Sequence, residues 1–152
     1  MRRHCAALLL LLAACSLQPA GRKSPVAEPE IVIEQLSAVA PAARNVSGPI
    51  SLHYRVRVRN VANEAVTLKR LDLSSVGFGS YSVGPFSRGF DVNIKQGGES
   101  DVELWVPGMI ADPTVAGANG PVTLRAILLF DSASGQLQTV VTQQVRSATA
   151  AD

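Results

Sequence analysis

Glu99, Asp101 and Glu103 fall at every second position of one short stretch, a spacing that sends three carboxylates to a single face of a β-strand. An oxygen-only cluster of this kind can hold calcium. The competing reading pairs it with Arg55, Arg57 and Arg59, which alternate in the same way and would meet acidic partners across a sheet. Exposed pairs add only about 0.2–1 kcal/mol each, so the stripe alone assigns neither a metal nor a catalytic role, and no metal site is expected. Imidazoles and thiols are scarce, with His4, His53, Cys5 and Cys15 the full set. A triad built on His53 needs a nucleophile on a strained turn, and no such elbow surrounds it. His53 stands on the polar phase of its stretch, between Leu52 and Tyr54, which points to a cross-strand or solvated role. Zinc needs several nitrogen or sulfur ligands, more than one histidine supplies. The chain therefore reads as non-enzymatic, with no cofactor.

The fate of the thiols follows from the first residues. Arg2 and Arg3 precede an apolar run from Ala6 to Ala14, dominated by Leu8 to Leu12, and the small residues Ala13 and Ala14 lead into Cys15. These are the parts of a secretory signal peptide over residues 1–14. The run is shorter than the roughly 20 apolar residues that a transmembrane helix requires. Leu12-Ala13-Ala14-Cys15 resembles a bacterial lipobox. The resemblance implies a lipoprotein: the Cys15 thiol takes a diacylglycerol, the signal is cut before it, and the new amine takes a palmitate-type chain. Two or three chains at about 0.8 kcal/mol per buried methylene hold a protein on a membrane durably. Ser16 stands where lipoproteins kept in the inner membrane of Gram-negative bacteria carry aspartate. The expected location is the cell envelope, on the outer membrane facing the periplasm.

Of the 14 basic residues, Arg2 and Arg3 leave with the signal, so 12 basic side chains face 12 acidic ones in the mature chain. A neutral domain has no field to steer a polyanion, which argues against nucleic acid as a partner. Cys5 also leaves with the signal and lipid consumes Cys15, so no disulfide or thiolate remains. Asn45-Val46-Ser47 fits a glycosylation sequon, without meaning in a bacterial lipoprotein.

Residues 15–29 carry the lipidated cysteine, Pro19, Pro25 and Pro29, and read as a tether. Extended, it would hold a domain about 40 Å from the lipid surface. Residues 147–152 read as a flexible tail, and residues 30–146 as one domain with one core.

That core reads as strands throughout. The clearest alternates Ile50, Leu52, Tyr54, Val56 and Val58 with Ser51, His53, Arg55, Arg57 and Arg59. Others are expected at Glu30 to Val39, Val66 to Val76, Arg88 to Lys95, Ser100 to Val106, Pro121 to Asp131 and Gln136 to Val145, with a short edge strand at Tyr81 to Val83. The apolar phase slips between Leu68 and Leu71, predicting a bulge at Lys69 and Arg70. Ala126 to Phe130 is apolar at consecutive positions and predicts a central, more completely buried strand. Seven to eight short antiparallel strands predict an all-β, immunoglobulin-like antiparallel β-sandwich, with an open barrel as the alternative. Gly-Pro recurs at Gly48, Gly84 and Gly120, at intervals of 36 residues. Read as an internal repeat or as similar hairpins, it predicts three pairings: Ile50 to Val58 with Val66 to Leu73, Phe90 to Ile94 with Val102 to Val106, and Val122 to Phe130 with Leu137 to Val145.

Val56-Arg57-Val58-Arg59-Asn60 followed by Asn63-Glu64-Ala65-Val66-Thr67-Leu68-Lys69-Arg70-Leu71-Asp72-Leu73 resembles the core signature of late-embryogenesis-abundant type 2 proteins, with a weaker echo from Gly98 to Val106. The chain has Val61 where that family carries proline. The resemblance implies an immunoglobulin-like sandwich and an association with stress protection.

Two segments between strands are long and apolar: Gly77 to Gly89, with Phe78, Tyr81 and Phe86, and Gly108 to Gly120, with Met109, Ile110 and Val115. If exposed together, Phe78, Tyr81, Phe86 and Trp105 would form a partner-binding patch; folded under the sheet ends, they are core. The expected function is a lipid-anchored envelope protein whose sandwich binds or scaffolds another envelope protein. A protective, chaperone-like role and a hydrolase using two loop carboxylates are the alternatives.

Overall fold

The computed structural model describes residues 27–36, 48–77, 79, 81–110 and 121–146. Eight strands run in order: β1 (Glu30–Gln35), β2 (Gly48–Arg59), β3 (Val66–Ser75), β4 (Ser82–Val83), β5 (Phe86–Ile94), β6 (Glu99–Ile110), β7 (Val122–Ser132) and β8 (Gly135–Val145). They form two four-stranded antiparallel sheets, ordered β1-β2-β6-β4 and β5-β3-β7-β8. The protein is an all-β, immunoglobulin-like sandwich. Period-two alternation is what builds it: Leu52, Tyr54, Val56 and Val58 are at most 1% exposed, while the residues between them face outward. Leu68, Leu71, Leu73, Leu124, Leu128 and Phe130 meet them from the second sheet, each fully or almost fully buried. Burying each such side chain contributes about 1.5–3 kcal/mol, which makes this interface the main source of stability.

Two of the three expected hairpins are absent. β2 pairs with β1 and β6, not with β3. β5 pairs with β3, not with β6. The pairing of β7 with β8 is as expected, around a two-residue turn between Ser132 and Gly135. The turns after β2 and after β5 are arches that carry the chain from one sheet to the other, and Asn60 locks them together. Its side chain is fully buried. Its Nδ2 donates among Glu64 O at 2.8 Å, Ile94 O at 3.1 Å and Lys95 O at 3.1 Å, and its Oδ1 accepts from Ala62 N at 3.0 Å. Asn60 N donates to Gly98 O at 2.8 Å, and Gly97 N returns a bond to Asn60 O at 3.0 Å. Gly97, at φ +69°, supplies the left-handed turn this needs. Gly48-Pro49 thus opens β2 and Gly84-Pro85 precedes β5, strands in different sheets with different neighbours, so this 36-residue spacing marks strand starts and not repeated hairpins.

The bulge lies where the phase slips, with the register of β3 shifting between Leu68 and Arg70 against both neighbours. β7 is an interior strand, yet Ile127 and Leu129 are only half-buried, because no layer covers the outer face of that sheet among the described residues. β6 extends four residues beyond Val106, so Met109 and Ile110 continue its alternation instead of opening a loop. Gly108 allows β4 to pair there: a Cβ on it would lie 2.6 Å from Leu52 Cδ1 and 3.1 Å from Ser82 O. At the opposite edge, Gln143 of β8 substitutes for a ladder rung on β1. Its Nε2 donates to Ile33 O at 2.9 Å and its Oε1 accepts from Ile33 N at 3.0 Å. Cys15, the signal, most of the tether and the tail lie outside the described residues.

Candidate functional site

The outer face of the β1-β2-β6-β4 sheet divides into an ionic half and an aromatic half. Register places Arg55 opposite Glu103, Arg57 opposite Asp101 and Arg59 opposite Glu99, with Glu34 and Glu30 across from Arg55 and Arg59 on β1. Arg55 lies 3.0 Å from Glu103, Arg57 3.1 Å from Asp101 and 3.0 Å from Glu99, and Arg59 3.4 Å from Glu30. Glu34 reaches toward Arg55 at 3.8 Å and Arg57 at 4.0 Å. The hydrogen bond from Arg55 holds the Glu103 carboxyl below the usual carboxylate range, helped by His53. Asp101 in turn raises the Arg57 guanidinium. The acidic stripe thus faces arginines, and among the described residues no three potential ligands converge on a metal position. Solvent screens every pair, so the lattice fixes side-chain positions more than it stabilises the fold.

Toward the other end of the same face, the rings of His53 and Trp105 stack with centroids 4.2 Å apart and planes 7° from parallel. His53 Nε2 lies 3.1 Å from Glu103 Oε2, which ties the imidazole to the ionic half. Trp105 is 61% exposed and Met109 47%. Pro49 and Pro107 are also exposed on this phase, opposite Met109 and Ser51. β2 and β6 pair along 12 residues, so the aromatic end stands on a continuous ladder. An amphipathic ring held by a neighbour on a rigid sheet suits it to contact a partner at low entropic cost.

Of the four rings that would form a patch if exposed together, the described three do not gather. Phe78 lies outside the described residues. Tyr81 is 3% exposed, because it shares the inward phase of Val83 and reaches under the sheet. There Tyr54 donates to the Tyr81 hydroxyl at 2.7 Å, and Tyr81 donates to Gln35 Oε1 at 2.5 Å. Burial pushes the Tyr81 phenol up to about 12 and Tyr54 higher still. Phe86 sits on β5 in the opposite sheet, half-buried against the core. Trp105 alone of the described three is exposed, and its companions are His53 and Met109. Both lie on outward phases readable in the sequence; the missing information was that β6 is the neighbour of β2.

A concavity of about 210 Å³ opens on the outer face of the other sheet between Asp72, Pro85, Phe86, Ser87, Arg125 and Ile127. Asp72 accepts from Ser87 Oγ at 2.5 Å and lies 3.2 Å from Arg70. Among the described residues the groove is lined by one carboxylate, Asp72, where the carboxylate-pair hydrolase alternative calls for two.

No known protein family and no curated protein matches the chain. Solved structures do. A Northeast Structural Genomics Consortium target aligns with TM-score 0.51 at 7% identity, covering 82% of this chain and 89% of its own. A Bordetella pertussis protein bearing the name ApaA aligns with TM-score 0.49 at 14% identity, over 81% and 98% of the two chains. A PapD-like domain of human CEP192 aligns with TM-score 0.36 at 10% identity, over 98% and 100%. At 7% identity the first of these likenesses is one of fold alone.

Proposed function

We propose that this chain is a lipid-anchored binding module of the bacterial envelope, attached through Cys15 and non-enzymatic. It presents the His53–Trp105 end of its outer sheet face to an envelope protein. The observation that carries the binding role is Trp105 itself: the largest apolar side chain of β6 stands 61% exposed, backed by His53, with Pro107 and Met109 exposed farther along the same face and a lattice of charges on its other side. An exposed apolar patch rimmed by ions is the usual composition of a recognition surface. The anchor rests on Leu12-Ala13-Ala14-Cys15, and the outer-membrane, periplasm-facing location on Ser16.

Intact-mass analysis of the chain from a bacterial membrane fraction, beside Cys15→Ser, tests the anchor. The expected result is a mature chain beginning at acylated Cys15, with the variant unprocessed. An unlipidated chain in the soluble fraction would reject it. Recovery of one stoichiometric partner, lost in Trp105→Ala, supports the binding module; suppression of aggregation across unrelated clients would favour a protective role.

A further inference from the structure

The edges of the two sheets are not alike. β1 carries Glu30 and Glu34, and its backbone at Ile33 is already bonded by Gln143. β4 is two residues long and pairs only with Met109 and Gly108, so the flank of β6 beyond it is guarded by Glu99, Asp101, Glu103 and Pro107. β5 carries Arg88 and Asp91 and pairs across a bulge. Charges, proline, shortness and bulges are the devices that keep sheet edges from pairing with other chains. β8 has none of them. Its 11 residues, GQLQTVVTQQV, include no charge and no proline, and its register against β7 is unbroken from Gly135 to Val145. Alternate residues of an edge strand direct both backbone groups away from their one neighbour, and β8 has no ladder partner on that side among the described residues.

We propose that β8 pairs with β8 of a second copy of this chain, antiparallel about a two-fold axis at Val140, joining two four-stranded sheets into one of eight. Self-complementarity selects this occupant. In that register, outward-facing Val140, 45% exposed, meets Val140 of the second copy. Gln138 then faces Thr142, and Gln136 faces Gln144, so apolar meets apolar and hydrogen-bonding side chains meet each other with no opposed charge. The acidic flank of β6, placed against itself, would instead oppose carboxylates. The dimer leaves Trp105 and His53 open, since they lie on the other sheet.

Cysteine scanning tests the register, in a full-length background carrying Cys5→Ser and Cys15→Ser. Val140→Cys should form an interchain disulfide under mild oxidation, because its Cα would lie within disulfide range of its own mate. Thr142→Cys, whose neighbour would be Gln138, should not. In detergent, the unsubstituted chain should sediment as a dimer, and Val140→Lys, which sets two like charges across the axis, as a monomer with unchanged circular dichroism and a melting temperature that no longer depends on protein concentration. Equal cross-linking of both cysteine variants, or a monomeric unsubstituted chain, would overturn the proposal. Neither readout depends on the lipid anchor or on Trp105, so this dimer and the binding face fail separately.

Discussion

His53 and Trp105 face each other across the β2–β6 ladder as a near-parallel stack, 4.2 Å between ring centroids. The imidazole fills one face of the indole and is itself bonded to Glu103, so the most exposed large hydrophobic side chain of the described residues is also held in place. Trp105 is the sole tryptophan, which makes its emission a direct report on this arrangement. His53→Ala should shift that emission and lower its anisotropy while costing no more than about 1.5 kcal/mol of stability, the upper range for an aromatic pair. An unchanged spectrum would mean that His53 does not position the indole.

The buried phenol pair predicts alkaline behaviour. Tyr54 and Tyr81 are the two tyrosines of the chain. Burial raises both, Tyr81 to about 12, above the ordinary value of 10.0 that applies once the chain unfolds. A raised folded-state value contributes stability in full below pH 10, and that contribution is lost as pH climbs toward 12. Tyrosinate absorbance should therefore stay silent near pH 10 and rise only with unfolding. A titration centred at 10 in the folded chain would contradict the buried pair. Tyr81→Phe removes the hydrogen bonds that join Tyr54, Tyr81 and Gln35 and should cost about 1–3 kcal/mol in denaturant unfolding.

Asn60 joins the two arches through one buried amide. Asn60→Ala removes the side-chain partner of the buried Ile94 carbonyl and of the buried Ala62 amide, and removes a packed side chain. A loss of about 2–4 kcal/mol is expected, measured by denaturant unfolding. A loss under 1 kcal/mol would show that the backbone bonds to Gly97 and Gly98 suffice.

Glu103 predicts the acid response of the face. Its carboxyl is held below 4.5, first by the hydrogen bond from Arg55. A lowered folded-state value gives a contribution that is present above the unfolded value and lost as pH falls through the folded one. Carboxyl-carbon NMR should place its titration below the ordinary glutamate value, and Arg55→Ala should return it upward.

Strand positions were legible because alternation is a local signal: Leu52 to Val58 declared a wet face and a dry one, and the slip between Leu68 and Leu71 declared the bulge. Strand neighbours were not. Alternation records which face is buried and is silent on what lies alongside, so hairpins and arches look the same until Asn60 is seen bonding residues 34 and 35 positions away. The site divided the same way. Trp105 was identifiable as an aromatic on a polar phase and His53 as a cross-strand residue, yet nothing local joined them. The burial of Tyr81, one of two readings open in the sequence, was not decidable there because its inward phase is set by pairing of only two residues, Ser82 and Val83.

The central claim is that the Trp105 end of the outer face meets an envelope partner. Site-specific photo-cross-linking in intact membranes addresses it, with a photoreactive side chain at Trp105 and, as control, at Lys69 on the other sheet. The account predicts one discrete adduct from position 105 and none from 69. No adduct from 105, or the same products from both, would contradict it.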